Sequence, residues 1–301
     1  MADISTDLSD WSSNEAANSP SGATTIGSGL DDNLRAIQAG VKGWTENVAA
    51  KLWKGAISGL IQSQAADTDH DITISAGACI DGTGAESMVL ASAITKQIDA
   101  AWAVGTNAGG MDTGTVGNST WYYIWLIKRS DTGVVDALFS TSATAPTMPT
   151  SYDYKRLIGA VKTDGSANIL GFNAYELFGG GLEVAWKAPI LDVDLTNTLT
   201  TSRRTDTLSV PTAFSTVATI RARAFDASAN HNTLISCPDE TDAAPSTSAS
   251  PGHNLSAGTG VSVVQEMKVR TSATGTVASR SSLSTVDDYK VFTVGFEWSR
   301  R

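Results

Sequence analysis

The sequence predicts a mainly β protein carrying an N-terminal extended arm and one helix, the β part divided into two antiparallel domains. Three observations carry this. Apolar residues from about residue 71 onward recur with period two, interrupted at short intervals by Gly, Asp, Asn and Ser. A dense run, Trp121-Tyr122-Tyr123-Ile124-Trp125-Leu126-Ile127, is followed by Ser130-Asp131-Thr132-Gly133 and then by Val134 to Phe139, which reads as a hairpin. A single stretch near the N-terminus, residues 31–54, has helical spacing instead.

The hairpin is the centre of the pattern. Its first strand is apolar at successive positions, so both of its faces must be covered. Aromatic and β-branched side chains of this density belong in a packed sheet rather than on a solvated one. Pro146, Pro149 and Tyr152 then stiffen a loop that leads into Arg156 to Val161, a further strand.

These residues also carry a likeness. The series Trp121-Tyr122-Tyr123-Ile124-Trp125, Asp131-Thr132-Gly133-Val134-Val135-Asp136, Ser142 to Pro149 and Lys155-Arg156-Leu157-Ile158-Gly159 resembles a module of structural proteins from tailed bacteriophages, chiefly tail-fibre-like proteins. Ile74 to Gly77 and Thr95 to Ile98 fit the same module, which spans roughly Asp71 to Phe172. The resemblance implies a virion component assembled in the host cytoplasm. It carries no catalytic signature, so it speaks to family rather than mechanism.

Residues 1–30 hold Trp11, Pro20 and the Gly-rich stretch Ser21 to Gly29, with little periodicity. Such a segment cannot bury enough surface to fold alone. The phage likeness implies a virion-attachment arm that orders against other virion proteins, with Trp11 and Ile26 as anchors. Met1 to Ser5 has no basic start and no apolar core, so no secretion signal is expected there, and no apolar run is long enough to cross a membrane.

Asp31 and Asp32 open the helical stretch and Lys51 and Lys54 close it, as the helix dipole favours. Leu34, Ile37, Val41, Trp44 and Val48 alternate by threes and fours, a heptad seam. Gly40 and Gly43 weaken it by about 1 kcal/mol each relative to Ala. The polar arm before it and the polar stretch after it leave little in-chain surface to cover the seam. Self-association as a homotrimer through this oligomerising helix is the expectation, Trp44 being too large for a tight two-chain seam.

Residues 55–70 turn polar and read as a linker. Residues 71–178 form the first β-domain, in which 107–114 is a turn-rich loop. Gly179-Gly180-Gly181 reads as a hinge. Residues 182–301 form the second, a jelly-roll-like sandwich: Leu182, Val184 and Trp186, then Leu191, Val193 and Leu195, and finally Phe292, Val294, Phe296 and Trp298 alternate with polar partners. The interval Pro238 to Gly260 is a long polar loop, of the kind that is either functional or disordered. Its Asp239, Glu240, Asp242, His253 and Asn254 suit sugar hydroxyls, making it a possible receptor loop for host-surface glycan.

Chemistry is harder to find. Asp67-Thr68-Asp69-His70-Asp71 has the first carboxylates of a calcium loop, but Ile72 stands where glycine is needed and Ala78 where the bidentate Glu belongs. His70, His231 and His253 share no metal-ligand spacing, and no Gly-x-Ser-x-Gly occurs. Gly27-Ser28-Gly29 lacks the third glycine of a dinucleotide loop. Asp192 and Asp194 could pair as in glycan cleavage, yet read better as the wet side of a strand. Asn118-Ser119-Thr120 is a formal glycosylation acceptor. Cys79 and Cys237 read as free packed thiols. A net charge of −10 argues against phosphate binding, so no nucleic-acid partner is expected. No catalytic, cofactor or metal site is expected. The function expected is that of a short trimeric tail or side fibre, attached by its N-terminus and displaying a C-terminal sandwich. A head fibre or capsid decoration and a non-catalytic carbohydrate-binding module are the alternatives. A depolymerase would call for a repetitive β-helix stem that is missing.

Overall fold

The computed structural model describes residues 34–41, 55–246 and 252–300. The chain falls into two units, one formed by residues 1–55 with 80–86 and the other by 56–79 with 87–301. In the first, residues 34–41 are helical, as their spacing predicts. Its turn after Ile80 is organised by Asp81, whose carboxylate accepts from Thr83 N at 2.9 Å, Ala85 N at 2.7 Å and Glu86 N at 2.7 Å. Burial alone would raise this acid, but those bonds and the one from the Thr83 hydroxyl hold it below the usual carboxylate range.

The second unit is built from strands. They are β1 (Ile57–Gly59), β2 (Gln62–Gln64), β3 (Asp71–Ile74), β4 (Gly77–Ile80), β5 (Ser87–Leu90), β6 (Ile94–Ala101), β7 (Ala108–Met111), β8 (Trp121–Arg129), β9 (Val135–Ser140) and β10 (Tyr152–Lys162). Then come β11 (Phe172–Leu177), β12 (Gly181–Leu199), β13 (Arg204–Thr207), β14 (Val217–Phe225), β15 (His231–Ser236), β16 (His253–Ala257), β17 (Val263–Arg270), β18 (Thr276–Ser281) and β19 (Val286–Ser299). The mainly β class is as the sequence predicts.

β8 and β9 form the expected hairpin, next to the edge strand β10, in a seven-stranded sheet ordered β10-β8-β9-β7-β6-β3-β2. Both faces of β8 are covered. Tyr122, Ile124 and Leu126 enter the main core, while Tyr123, Trp125 and Ile127 join Leu138, Tyr152 and Ala160 in a second cluster. Ala143, Met148, Trp102 and Phe214 close that second cluster, and the Trp125 indole donates to Ser142 O at 3.1 Å. The Pro-stiffened loop is therefore a lid on the hairpin's second face.

Two stretches differ from the sequence reading. The turn-rich loop at 107–114 contains β7, which pairs in parallel with β6 and β9, so the sheet is mixed rather than antiparallel. Glycine hides this strand from a propensity reading but permits it: a Cβ on Gly110 would lie 2.6 Å from the Phe139 ring. Residues 55–70 are no simple linker, since β1 and β2 lie there. Buried Gln62 joins them to the sheet by donating to Leu60 O at 2.6 Å and Ile158 O at 3.2 Å.

β11 to β19 are shared between a five-stranded sheet, β11-β12-β19-β14-β17, and a four-stranded one, β13-β18-β15-β16. The two pack together, with the buried Tyr289 hydroxyl 2.8 Å from that of Ser279. Expected phases are broken by bulges. In β12 the register shifts between Ala185 and Ile190, around Pro189, and again after Leu191. Leu191 consequently faces solvent while Val193 is buried. In β19 the inward residues are Val291 and Thr293, then Phe296 and Trp298, so Phe292 and Val294 are displaced from the core.

Gly179-Gly180-Gly181, read as a hinge, is the turn of the β11–β12 hairpin, with Leu177 opposite Gly181 and Gly180 N donating to Leu177 O at 3.1 Å. One buried cluster runs from Ile57 through Ile124 and Trp186 to Trp298, using residues on both sides of that turn. Trp121, Trp186 and Phe296 meet within it, with centroids 5.9–6.0 Å apart.

Candidate functional site

The polar interval after β15 is shorter than the sequence suggests. His253 to Ala257 forms strand β16, which pairs with β15 and places His253 opposite Ile235. Leu255 is its one inward apolar residue, too little for a periodicity signal. Both ends of the loop therefore stand at one end of the four-stranded sheet.

The described part of the loop is tied down. Glu240 N donates to Cys237 O at 3.0 Å, closing a turn. Arg203 donates to Glu240 O at 3.0 Å and Cys237 O at 2.7 Å, and its Nε lies 3.8 Å from Asp242. Arg280 holds the other Asp242 oxygen at 2.9 Å. Asp242 is thus engaged by two guanidinium groups. Leu234, on the outward side of β15, is nevertheless buried, and the backbone at Gly252 lies against it.

Asp239, Glu240 and His253 are exposed. Asn254 donates to Asn232 Oδ1 at 3.4 Å, and Ser256 Oγ donates to the same oxygen. The structure thus brings the four predicted receptor-loop residues to one end of the sheet, as a polar surface of carboxylates, amides and hydroxyls. Such groups form hydrogen bonds with a polyhydroxylated ligand but offer it no stacking platform. Arg203 and Arg280, which shape the loop, escaped the sequence reading because they lie far from it in the chain.

On the helix, Ile37 is 60% and Val41 38% exposed, and Leu34 is half-buried. Trp44 and Val48 of the same seam, and Trp11 and Ile26 of the arm, lie outside the described residues.

Asp192 accepts from Ser209 N and Ser209 Oγ, both at 2.7 Å, and from the Thr293 hydroxyl, while Asp194 pairs with Lys290. Both acids are occupied in joining strands. Asp67 accepts from Asp69 N at 3.0 Å and faces His70, closing a local turn. Among the described residues no group of three or more His, Cys, Asp or Glu is placed to hold a metal ion. Cys79 and Cys237 are buried thiols not joined in a disulfide, as the sequence reading has them. No helix among the described residues is long and apolar enough to cross a membrane.

No protein-family model matches the chain, and no curated protein matches it in sequence. Among solved structures it is similar to BuGH86wt in complex with neoagarooctaose, at 13% identity and TM-score 0.19, over 76% of this chain and 32% of that one. It is also similar to the Gx strain of infectious bursal disease virus, at 9% identity and TM-score 0.17, over 80% of this chain and 71% of that one. A Bacillus thuringiensis Cry1Da tryptic core variant overlaps at 10% identity and TM-score 0.15, over 80% and 50%. The chain spans about a third of the length of the first of these. At such scores the neighbours assign neither fold family nor function.

Proposed function

We propose that this chain is a bacteriophage virion structural protein without catalytic activity, a short trimeric tail or side fibre. Its N-terminal arm binds other virion proteins, its helix self-associates, and its C-terminal strands are displayed toward the host. The carrying observation is the stretch from Trp121 to Gly159, whose residues resemble the phage tail-fibre module and form β8, β9 and most of β10, three adjacent strands at one side of the largest sheet. The exposed Ile37 and Val41, four residues apart on one helix face, support the self-association.

The deciding experiment is electron microscopy of phage particles carrying a label on the C-terminal residues. Density projecting from the tail supports a tail or side fibre. Label on the capsid surface replaces it with a head fibre or decoration, and unlabelled particles refute a virion role.

A further inference from the structure

β17, eight residues from Val263 to Arg270, is the last strand of the five-stranded sheet. It pairs with β14 along its whole length, without a register shift. Among the described residues its backbone has no hydrogen-bond partner on the other side. An edge of this kind is a template for another strand, and proteins blunt it with proline, bulges, short length or charge. The other edges are so treated. β13 and β16 have four and five residues. β10 shifts register at Tyr152 and at Leu157, and Gln62 of β2 reaches its Ile158 carbonyl. β5 is held by Lys128, which donates to Ser87 O at 2.9 Å, and Glu176 of β11 accepts from Gly59 N at 3.1 Å. β17 has neither proline nor bulge, and its exposed residues include Val264, at 57%.

The charges on β17 say what meets it. Met267 and Val269 face the core, while Glu266 and Lys268 face solvent. A second copy of β17 pairing antiparallel about a two-fold axis sets outward residues opposite outward residues. Centring the pair on Glu266 opposes that acid to itself, and centring it on Lys268 opposes lysine to lysine. Centring it on Met267 sets Glu266 opposite Lys268 of the other copy, and does so twice. Gln265 then faces Val269, and Val264 faces Arg270. Each copy supplies the next charge in the row. Arg221 holds Glu266 at 2.9 Å, and Glu297 holds Lys268. Signs therefore alternate across the join: Arg221, Glu266, then Lys268 and Glu297 of the second copy. An edge guarded by one sign of charge repels its own copy, whereas this one complements it.

We propose that β17 is a self-association edge that pairs antiparallel with β17 of a second copy, in register about Met267, so that the two five-stranded sheets run on as one. This goes beyond the fibre reading and does not use the helix. It doubles whatever species the chain otherwise forms, a monomer to a dimer or a trimer to a pair of trimers. One strand pair is smaller than a stable interface, which buries about 1,000 Å² or more, so the association is a weak and concentration-dependent one.

The test uses the full chain and reads mass by sedimentation velocity over a micromolar-to-millimolar series. Glu266→Lys sets like charges across the join, and Lys268→Glu does the same with the opposite sign. Both side chains are more than half exposed, so the variants fold, and thermal melts check this. Mixed in equal amounts, the two variants again place acid opposite base at both positions of the join. A wild type that doubles in mass, single variants that need at least about tenfold higher concentration to do so, and a mixture that regains the wild-type midpoint support the proposal. Single variants that associate as the wild type does, or a mixture no better than its components, overturn it. A wild type that never doubles also overturns it and leaves the fibre reading standing.

Discussion

The Arg156 guanidinium donates through Nε, at 3.1 Å, and through Nη2 to the main-chain carbonyl of Arg300, 144 positions later in the chain. Arg300 in turn sends its own guanidinium to the carbonyls of Gly180, Gly59 and Leu60 and toward Glu176. Two buried arginines so join the last strand, the middle of β10, the β11–β12 turn and the first strand. Backbone carbonyls dominate the contacts, so the charge is dispersed over several acceptors rather than matched by one acid.

Replacing Arg300 by Met leaves the Gly59, Leu60 and Gly180 carbonyls buried without this donor. Each such loss costs about 1–3 kcal/mol, and the strand end relaxes to recover part of it. Arg300→Met is expected to lower unfolding stability by about 2–4 kcal/mol in urea titration, with Arg300→Lys intermediate. An unchanged midpoint would show that solvent replaces the guanidinium freely.

His231 is buried, and its ring nitrogens make no hydrogen bond of good geometry among the described residues. Burial pushes its pKa below the ordinary histidine value, against smaller opposing pulls from Asp226 and the Ala229 backbone. A folded-state pKa below the unfolded one means that the unfolded chain takes up the proton first. Stability is therefore intact above about pH 6.5 and falls as pH drops below it, by at most about 1.4 kcal/mol per pH unit for one proton. Thermal melts from pH 7.5 to 5 are expected to show this slope, and His231→Gln to flatten it. Equal slopes in both proteins would exclude His231 as the titrating group.

What the sequence disclosed and what it hid follow the same physics. The hairpin around Ser130 to Gly133 was legible because Trp, Tyr, Ile and Leu without polar interruption can only be a strand covered on both sides. β7 was not, because Ala-Gly-Gly-Met carries no side-chain pattern and owes its place to Phe139 packing on bare backbone. Phase was lost wherever a bulge intervened, as at Pro189, after which Leu191 turns outward. The loop acids were visible as a polar run, yet Arg203 and Arg280, which hold Asp242, belong to distant stretches. The triple glycine was visible too, but composition cannot tell a hinge from a tight turn.

The Lys96–Asp136 pair is fully buried, with Nζ 3.3 Å from Oδ1. Lys96 also donates to Ala103 O at 2.6 Å and lies 5.4 Å from the Trp102 ring centroid, while Asp136 accepts from Gly105 N at 2.7 Å. Removing one member strands the other charge. Lys96→Met and Asp136→Leu are each expected to cost about 3–5 kcal/mol. The double variant should lose clearly less than the sum of the two, because no lone charge remains. Additive losses in a double-mutant cycle would mean that the two ions do not stabilise one another.

The loop between β15 and β16 permits a sharper test of host contact than its deletion. Deleting it removes the cover from Leu234 and the partner of Arg203 and Arg280. That exposes an apolar side chain worth about 1.5–3 kcal/mol and confounds binding with folding. The exposed groups can be changed without that cost. Asp239→Ala, Glu240→Ala and His253→Ala alter side chains that face solvent, and surface changes of this kind stay within about 0.5 kcal/mol. If the loop reads host glycan, the triple variant keeps its melting temperature while particles carrying it adsorb more slowly to host cells. The deficit should exceed that of any single variant, since weak sites repeated across copies act together. Asp242→Ala supplies the contrast, because it frees two arginines, loosens the loop and is expected to lower the melting temperature. Normal adsorption by the triple variant would remove the loop as the receptor contact and favour an architectural role for this end of the protein.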